Sequence, residues 1–364
     1  IIDGHIDIPY RLNKKWDDIS VETVSGDFDF ERARRGGLDA PFMALYVPAR
    51  FQAFPGNSKA YALEMLALIE RIVNADPDKF EIATKPMDLV RLKRLDKIAF
   101  PLGIENGSAL ESDIANVEFF YNKGVRYITL THSEDNLICD SSYATTRTWK
   151  GLSPFGRQVV KEMNRLGVMI DISHVSDDAA LQVLDLTTAP VIASHSSLRH
   201  FTPGWERNMS DEVLLKLAEN DGVIMINFGS NFLIKKALES RKVINQQVAD
   251  YVANLEQDIV DQGEDVVNQY KEKHRKTLWK EKYKFAKVQH VADHIDYAVK
   301  LVGIDHVGLG SDFDGVGDSL PDGLKDASGY PNLIYELLQR GYSKKDIKQI
   351  CSENLLRVWK AVQK

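Results

Sequence analysis

The chain has 364 residues, a formal net charge of -7 and 44% hydrophobic residues. That length suits one large domain or two ordinary ones. The negative charge argues against a general nucleic-acid binder, which needs a basic stripe to neutralise phosphates.

Apolar runs at 1–8, 41–47, 98–104, 125–130, 168–172, 190–193, 222–227 and 306–310 read as eight strands in chain order. They are continuous rather than alternating, as parallel strands covered by helices are. Helical patterns fall between them at 60–74, 112–123, 153–166, 177–184 and 210–220. In the first, Leu63, Leu66, Ala67, Ile69 and Val73 repeat near the helical period. Ser210 before Asp211 and Glu212 is a helix start. The stretch 77–96 reads as a helix and loop. Eight strands alternating with helices predict a closed (β/α)₈ TIM-like barrel. An open doubly wound sheet lacks support, because no glycine-rich phosphate turn follows the first strand.

Residues 231–285, between strands seven and eight, are too long for a βα loop. They mix Lys, Glu, Gln and Asp with spaced Val, Leu, Tyr and Trp, which predicts inserted helices with a solvated face. With no repeat or linker, residues 1–364 are expected to form one domain. No apolar run approaches the roughly 20 residues of a membrane helix. The two cysteines, Cys139 and Cys351, make neither a disulfide framework nor a thiolate zinc motif. Because the chain starts at Ile1 rather than Met, an exported protein with a removed leader is favoured slightly over a cytoplasmic one.

Metal-ligand residue types recur at the predicted strand ends, where such a barrel builds its active site. They occur in Gly4-His5-Ile6-Asp7, Gly103-Ile104-Glu105, Ile172-Ser173-His174, Ala193-Ser194-His195 and Ser311-Asp312-Phe313-Asp314. His5 and Asp7 stand two apart, so on a strand both face the barrel axis and can share an ion. A buried His–Asp hydrogen bond is the alternative. His174 and His195, on neighbouring strands, can share a second ion, and Glu105 can bridge the two. Paired ions lower the pKa of a water between them and clamp a substrate oxygen. Nitrogen and oxygen donors without thiolates fit zinc best, with manganese or cobalt as alternatives.

Asp312 is placed to carry a proton from water to a leaving amine, and Asp314 to order the loop that follows. His132 can polarise a scissile carbonyl, or can be a histidine in a polar turn. Arg207 can hold a carboxylate with its fork of donors, a surface ion pair being the alternative. His290 and His294 have helical spacing, but no carboxylate lies between them as in HExxH. They read as structural, as does His306.

These residues resemble the membrane (renal) dipeptidases of the amidohydrolase superfamily. The similarity rests on Asp3-Gly-His-Ile-Asp7, Gly103-Ile-Glu-Asn106, Leu130-Thr-His132, Gly151-Leu-Ser-Pro-Phe-Gly156, Asp171-Ile-Ser-His174, Ala193-Ser-His-Ser-Ser197, Arg207-Asn208 and Gly310-Ser-Asp-Phe-Asp-Gly315. It runs in order from Ile1 to about Trp359. The resemblance implies a barrel with two zinc ions that hydrolyses dipeptides and tolerates a D-residue at the C-terminal position. His5 and Asp7 would hold one zinc, His174 and His195 the other, and Glu105 both. His132 would meet the substrate carbonyl, Arg207 and Asn208 its terminal end, and Asp312 would move the proton. The loop 134–150, Tyr143 included, has no residue-by-residue match in that family and is expected from its place in the chain to line the pocket. A homodimer is also implied. An amidase, lactamase or deaminase on a small non-dipeptide substrate is the rival reading, and a non-catalytic binding barrel a more distant one.

Overall fold

The computed structural model describes residues 1–363. Its strands are β1 (Ile2–Ile6), β2 (Ala40–Tyr46), β3 (Phe80–Ile82), β4 (Ile98–Phe100), β5 (Leu102–Glu105), β6 (Val125–Thr129), β7 (Met169–Asp171), β8 (Ile192–Ser196), β9 (Val223–Ile226) and β10 (Val307–Leu309). Eight of them form one parallel sheet in the order β1-β2-β5-β6-β7-β8-β9-β10. The ring closes just past the strand ends, where Ile6 bridges Phe313 and Asp7 N–H donates to Phe313 O at 2.8 Å. Below that seam the Asp3 carboxylate accepts from the backbone N–H of His5 and of Ser311 and from the Tyr330 hydroxyl. A buried carboxylate thus joins first and last strands where no continuous ladder does.

All eight predicted barrel strands are present, within a few residues at their ends. One prediction fails in detail. The run 98–104 is two strands, because Pro101 has no N–H to continue a ladder. Ile98–Phe100 instead pairs with Phe80–Ile82 in a separate parallel sheet, inside the stretch read as helix and loop. A three-residue strand carries too little pattern to stand out from a loop.

Helices Pro154–Leu166, Asp177–Leu186 and Asp211–Glu219 start alike: Ser153, Ser176 and Ser210 accept from the N–H of Gly156, Ala179 and Val213. Each such cap contributes about 1 kcal/mol and fixes where the helix leaves its loop. The apolar residues facing outward from the strands bury against these helices. The inner faces form a second cluster, with Phe42, Tyr127, Met169 and Met225. The C-terminal helix Asn354–Val362 closes this cluster from below, its fully buried Trp359 ring 5.3 Å from Phe42, which is 5.3 Å from Tyr127.

The predicted insertion is helical. Helices Ser230–Leu233, Lys235–Ala253, Gln257–Val260 and Glu264–Lys282 occupy it, and the two long ones pack on a small cluster of Ala237, Ile244, Val248, Leu278 and Tyr283. Among the described residues no helix is long and apolar enough to cross a membrane.

Candidate metal centre

Strand ends bring the five expected ligand residues to one place. His5, at the end of β1, has Nε2 3.5 Å from Asp7 Oδ2 and 3.5 Å from Glu105 Oε2. The other Glu105 oxygen lies 3.0 Å from His174 Nε2 and 3.2 Å from His195 Nε2. The two imidazole nitrogens are themselves 2.8 Å apart. Glu105 therefore faces His5 with one oxygen and the His174–His195 pair with the other, the geometry a bridging carboxylate needs. All five residues are buried.

Partners behind the histidines fix their rings. His5 Nδ1 is 2.8 Å from the Tyr127 hydroxyl. A side chain on Gly103 would overlap the Tyr127 ring, its Cβ meeting ring carbons at 2.1 to 2.4 Å, so glycine at that position lets Tyr127 reach His5. The Ser194 hydroxyl donates to Asp171 and sits 2.7 Å from His195 Nδ1. That arrangement puts the Nδ1 hydrogen on Ser194 and leaves Nε2 with a lone pair aimed at Glu105. Asp171 also accepts from Thr129 and from the N–H groups of Ser173 and Ser194.

Most of the charges fit a divalent centre; His5 runs the other way, where against the effect of burial its pKa is raised by Tyr127, Glu105 and Asp7. Burial alone would raise the Glu105 pKa, but the imidazoles of His5, His132, His174 and His195 hold it well below the usual carboxylate range. Burial, helped by the Arg207 cation, keeps His174 and His195 neutral, the form that ligates metal. His5 Nε2 and Asp7 Oδ1 are buried with no hydrogen-bond partner. Orphaned polar atoms in a buried cluster have a desolvation cost that a cation there removes.

Asp312 lies three residues past the end of β10, at φ 62°. Asn227 Nδ2 donates to its Oδ2 at 2.7 Å. Burial and the carboxylates of Asp7 and Glu105 push its pKa well above normal. His174 is also left-handed, at φ 70°. Such a conformation costs on the order of 1–3 kcal/mol in a non-glycine residue, so the surrounding packing holds both against strain. Gly315 backs this corner: a Cβ there would sit 2.1 Å from both Asp7 Oδ2 and Asp312 Oδ1. Asp314, by contrast, turns away: it accepts from Asp27 N–H and forms an ion pair with Arg11 at 3.2 Å.

A cavity of about 260 Å³ opens onto this cluster, lined in part by Asp7, Glu105, His132, Tyr143, His174 and Asp312. His132 Nε2 lies 3.6 Å from Glu105, and its ring is 4.7 Å from that of Tyr46. Two expectations shift. Asn208 is fully buried, and its amide donates to Thr202 and to Phe232 O. It is a brace for the cavity wall, because both its hydrogens are held by protein acceptors. Arg207 is 2% exposed and does not line the cavity. Its Nη1 donates to Ser196, and its Nη2 to His195 O and toward His174 Nε2 at 3.0 Å. It meets the same His174 nitrogen that faces Glu105, and its own Nε is unpartnered.

Tyr10, Tyr46, Asn231, Phe232 and Arg241 also line the cavity. Sequence reading missed them, together with Asn227 and Tyr127. Asn227 follows the apolar run of β9 and obeys the same strand-end logic as the ligands; Arg241 has no such signal. His294 is structural, as expected. Its Nδ1 accepts from Leu198 N–H at 3.1 Å and its Nε2 donates to Leu233 O at 3.0 Å.

Residues 1–364 match a family model described as membrane dipeptidase, peptidase family M19. The chain is similar to the dipeptidase tcpJ of Claviceps purpurea, 32% identical over 374 residues, covering 99% of this chain and 76% of that one. It is also similar to an uncharacterised dipeptidase of Schizosaccharomyces pombe, 31% identical, covering 100% and 81%. Among solved structures, a probable dipeptidase, PvdM, from Pseudomonas aeruginosa superposes with a TM-score of 0.81 at 29% identity, over 94% of this chain and 90% of that one.

Proposed function

The chain belongs to the membrane dipeptidase family M19 and is a metal-dependent peptide hydrolase, and from that premise we propose that it holds two zinc ions and cleaves free dipeptides. One observation carries the reading: His5, Asp7, Glu105, His174 and His195 converge around buried, partnerless ligand atoms at the floor of a small cavity. At about 260 Å³ the space directly over these ligands has room for a small substrate such as a dipeptide.

His5 and Asp7 would hold one ion, His174 and His195 the other, with Glu105 shared. When bound, the pair supplies Lewis acidity and makes water a nucleophile near neutral pH. The remaining work falls to this chain's own groups. His132 offers a donor to the carbonyl oxygen as negative charge develops there. Asp312, tethered by Asn227, takes a proton and returns it to the leaving amine. Arg207 draws the terminal carboxylate toward the unpartnered edge of its guanidinium, and Tyr143 covers the mouth. Tolerance of a D-residue at the C-terminal position, and a homodimer, belong to the same reading through the resemblance. Light scattering on the purified chain tests the dimer.

The main test is hydrolysis of paired L,L and L,D dipeptides, before and after chelation and after zinc is restored. Turnover that disappears with chelator and returns with zinc is expected, at about two ions per chain by elemental analysis. No metal-dependent turnover of any dipeptide would sink the proposal. A second reading, an amidase on a small substrate without a free carboxylate, draws on one observation, that Arg207 is buried and does not line the cavity. It predicts that Arg207→Ala leaves KM for carboxylate and amide substrates changed equally, whereas the dipeptidase reading predicts a selective rise for the carboxylates.

A further inference from the structure

The catalytic cavity is not isolated. A trough of about 730 Å³ runs beside it against the inserted helices, and the two share Asn231, Arg241 and Val316. The trough walls carry Arg241, Arg275, Lys276 and Lys280 against Glu272 and Asp318, a surplus of positive charge. Arg275 is partly committed, to Glu272 at 3.5 Å and to Asn245 at 3.1 Å. Arg241 is not. It makes no ion pair or hydrogen bond among the described residues, though it lines both spaces. Its helix Lys235–Ala253 is anchored to the cavity wall by the hairpin it forms with Glu264–Lys282. There Tyr283 donates to Asn231 at 2.8 Å, and Trp279 Nε1 donates to Asp318 O at 2.7 Å.

The two arginines near the centre are thus differently placed. Arg207 is held from behind by Ser196 and His195. Arg241 stands at the junction of cavity and trough with its fork of donors unengaged. The carboxylates on the cavity wall, Asp7, Glu105 and Asp312, repel a second anionic group on a substrate unless a cation stands by. We propose that Arg241 is a specificity-determining residue that recognises a second substrate carboxylate, so that this chain favours dipeptides bearing an aspartate or glutamate side chain over their amide isosteres. This rests on the dipeptidase reading above and adds to it a substrate class. A charge-assisted hydrogen bond to a guanidinium at a partly open site is worth about a tenfold preference, weakened by salt.

The test is kcat/KM for two matched pairs, Ala-Glu with Ala-Gln and Glu-Ala with Gln-Ala, using the full zinc-loaded chain. The pairs show which substrate position carries the recognised side chain. The acid-over-amide ratio is read within each enzyme, so any general loss of activity cancels. The wild type should prefer the acid about tenfold in at least one pair. Arg241→Ala should bring that ratio near one, Arg241→Lys should keep part of it, and Arg241→Glu should invert it. Circular dichroism checks that each variant folds. A wild-type ratio of one in both pairs, or a ratio unmoved by Arg241→Ala, overturns the proposal while neutral pairs still report a working dipeptidase. An equal loss on every dipeptide in Arg241→Ala also overturns it, since that would make Arg241 a general carboxylate clamp. Hydrolysis of no pair by the wild type overturns the dipeptide reading itself, and this one with it.

Discussion

At the strand ends many polar groups answer to a named partner, while His5 Nε2 and Asp7 Oδ1 stay buried without one. Asp171 takes hydrogen bonds from four groups and aims His195 through Ser194, and Asn227 tethers Asp312. In the inserted helices the charges face water. The Lys235–Glu239 pair, 3.6 Å apart, is 63% and 57% exposed, and the hairpin core is a cluster of five buried residues. Both regions face the same cavity. The first holds reacting groups rigidly enough for chemistry, as burial and doubled hydrogen bonds allow. The second contributes Asn231, Phe232 and Arg241 to the cavity wall. On the proposals above, the reacting groups stand on the barrel, and Arg241, the proposed acid-selective residue, stands on the insertion.

The contrast can be broken most forcefully at Glu105. Glu105→Gln removes the charge that faces four imidazoles, and kcat/KM should fall on the order of 10³-fold with loss of bound metal by elemental analysis. Full metal retention with near-normal activity would mean that the strand ends do not form the centre. Gly315→Ala presses a methyl group onto Asp7 and Asp312. A displacement approaching 1 Å can cost about 100-fold, and that loss should appear in kcat with the fold intact by circular dichroism.

His294 sharpens the comparison from behind the site. Burial pushes its pKa down to about 3, against about 6.5 unfolded. The unfolded chain therefore binds the extra proton between those values. The stabilisation is complete above about pH 6.5 and is lost as pH falls toward 3, by about 2 kcal/mol at pH 5. Urea titrations at pH 7 and 5 should show this loss in wild type and a smaller one in His294→Gln. Equal losses would remove His294 as the cause. The smallest effect belongs to the hairpin. Tyr283→Phe deletes the hydrogen bond to Asn231 and should cost about 1 kcal/mol, seen as faster amide exchange in 230–285 with the barrel unchanged.

The eight-strand barrel was legible because parallel strands leave continuous apolar runs, and the candidate ligands because they sit where those runs end. His5 with Asp7, His174 and His195 each closes such a run. Asp312 was legible as a type but not as a geometry, since nothing in Ser311-Asp312-Phe313-Asp314 announces a left-handed turn. The Ile98–Phe100 strand was hidden because Pro101 interrupts an apolar run without changing its hydrophobicity. Arg207 and Asn208 were found as neighbours of the site, but their burial depends on how the 199–209 loop folds back on β8. Arg241 was invisible for a plainer reason. On its own helix it looks like every other solvated cation, and only the docking of the hairpin through Tyr283 and Trp279 brings it to the cavity.

The aromatic stack beneath the metal centre has a consequence for traffic. Tyr127, Phe42 and Trp359 fill the barrel from the histidine floor to its lower end, so among the described residues that end is closed to substrate. The amino acids released by each cleavage must leave against the flow of incoming substrate. Substrate and products alike pass Asn231, Phe232 and Arg241 of the inserted helices, which line the cavity.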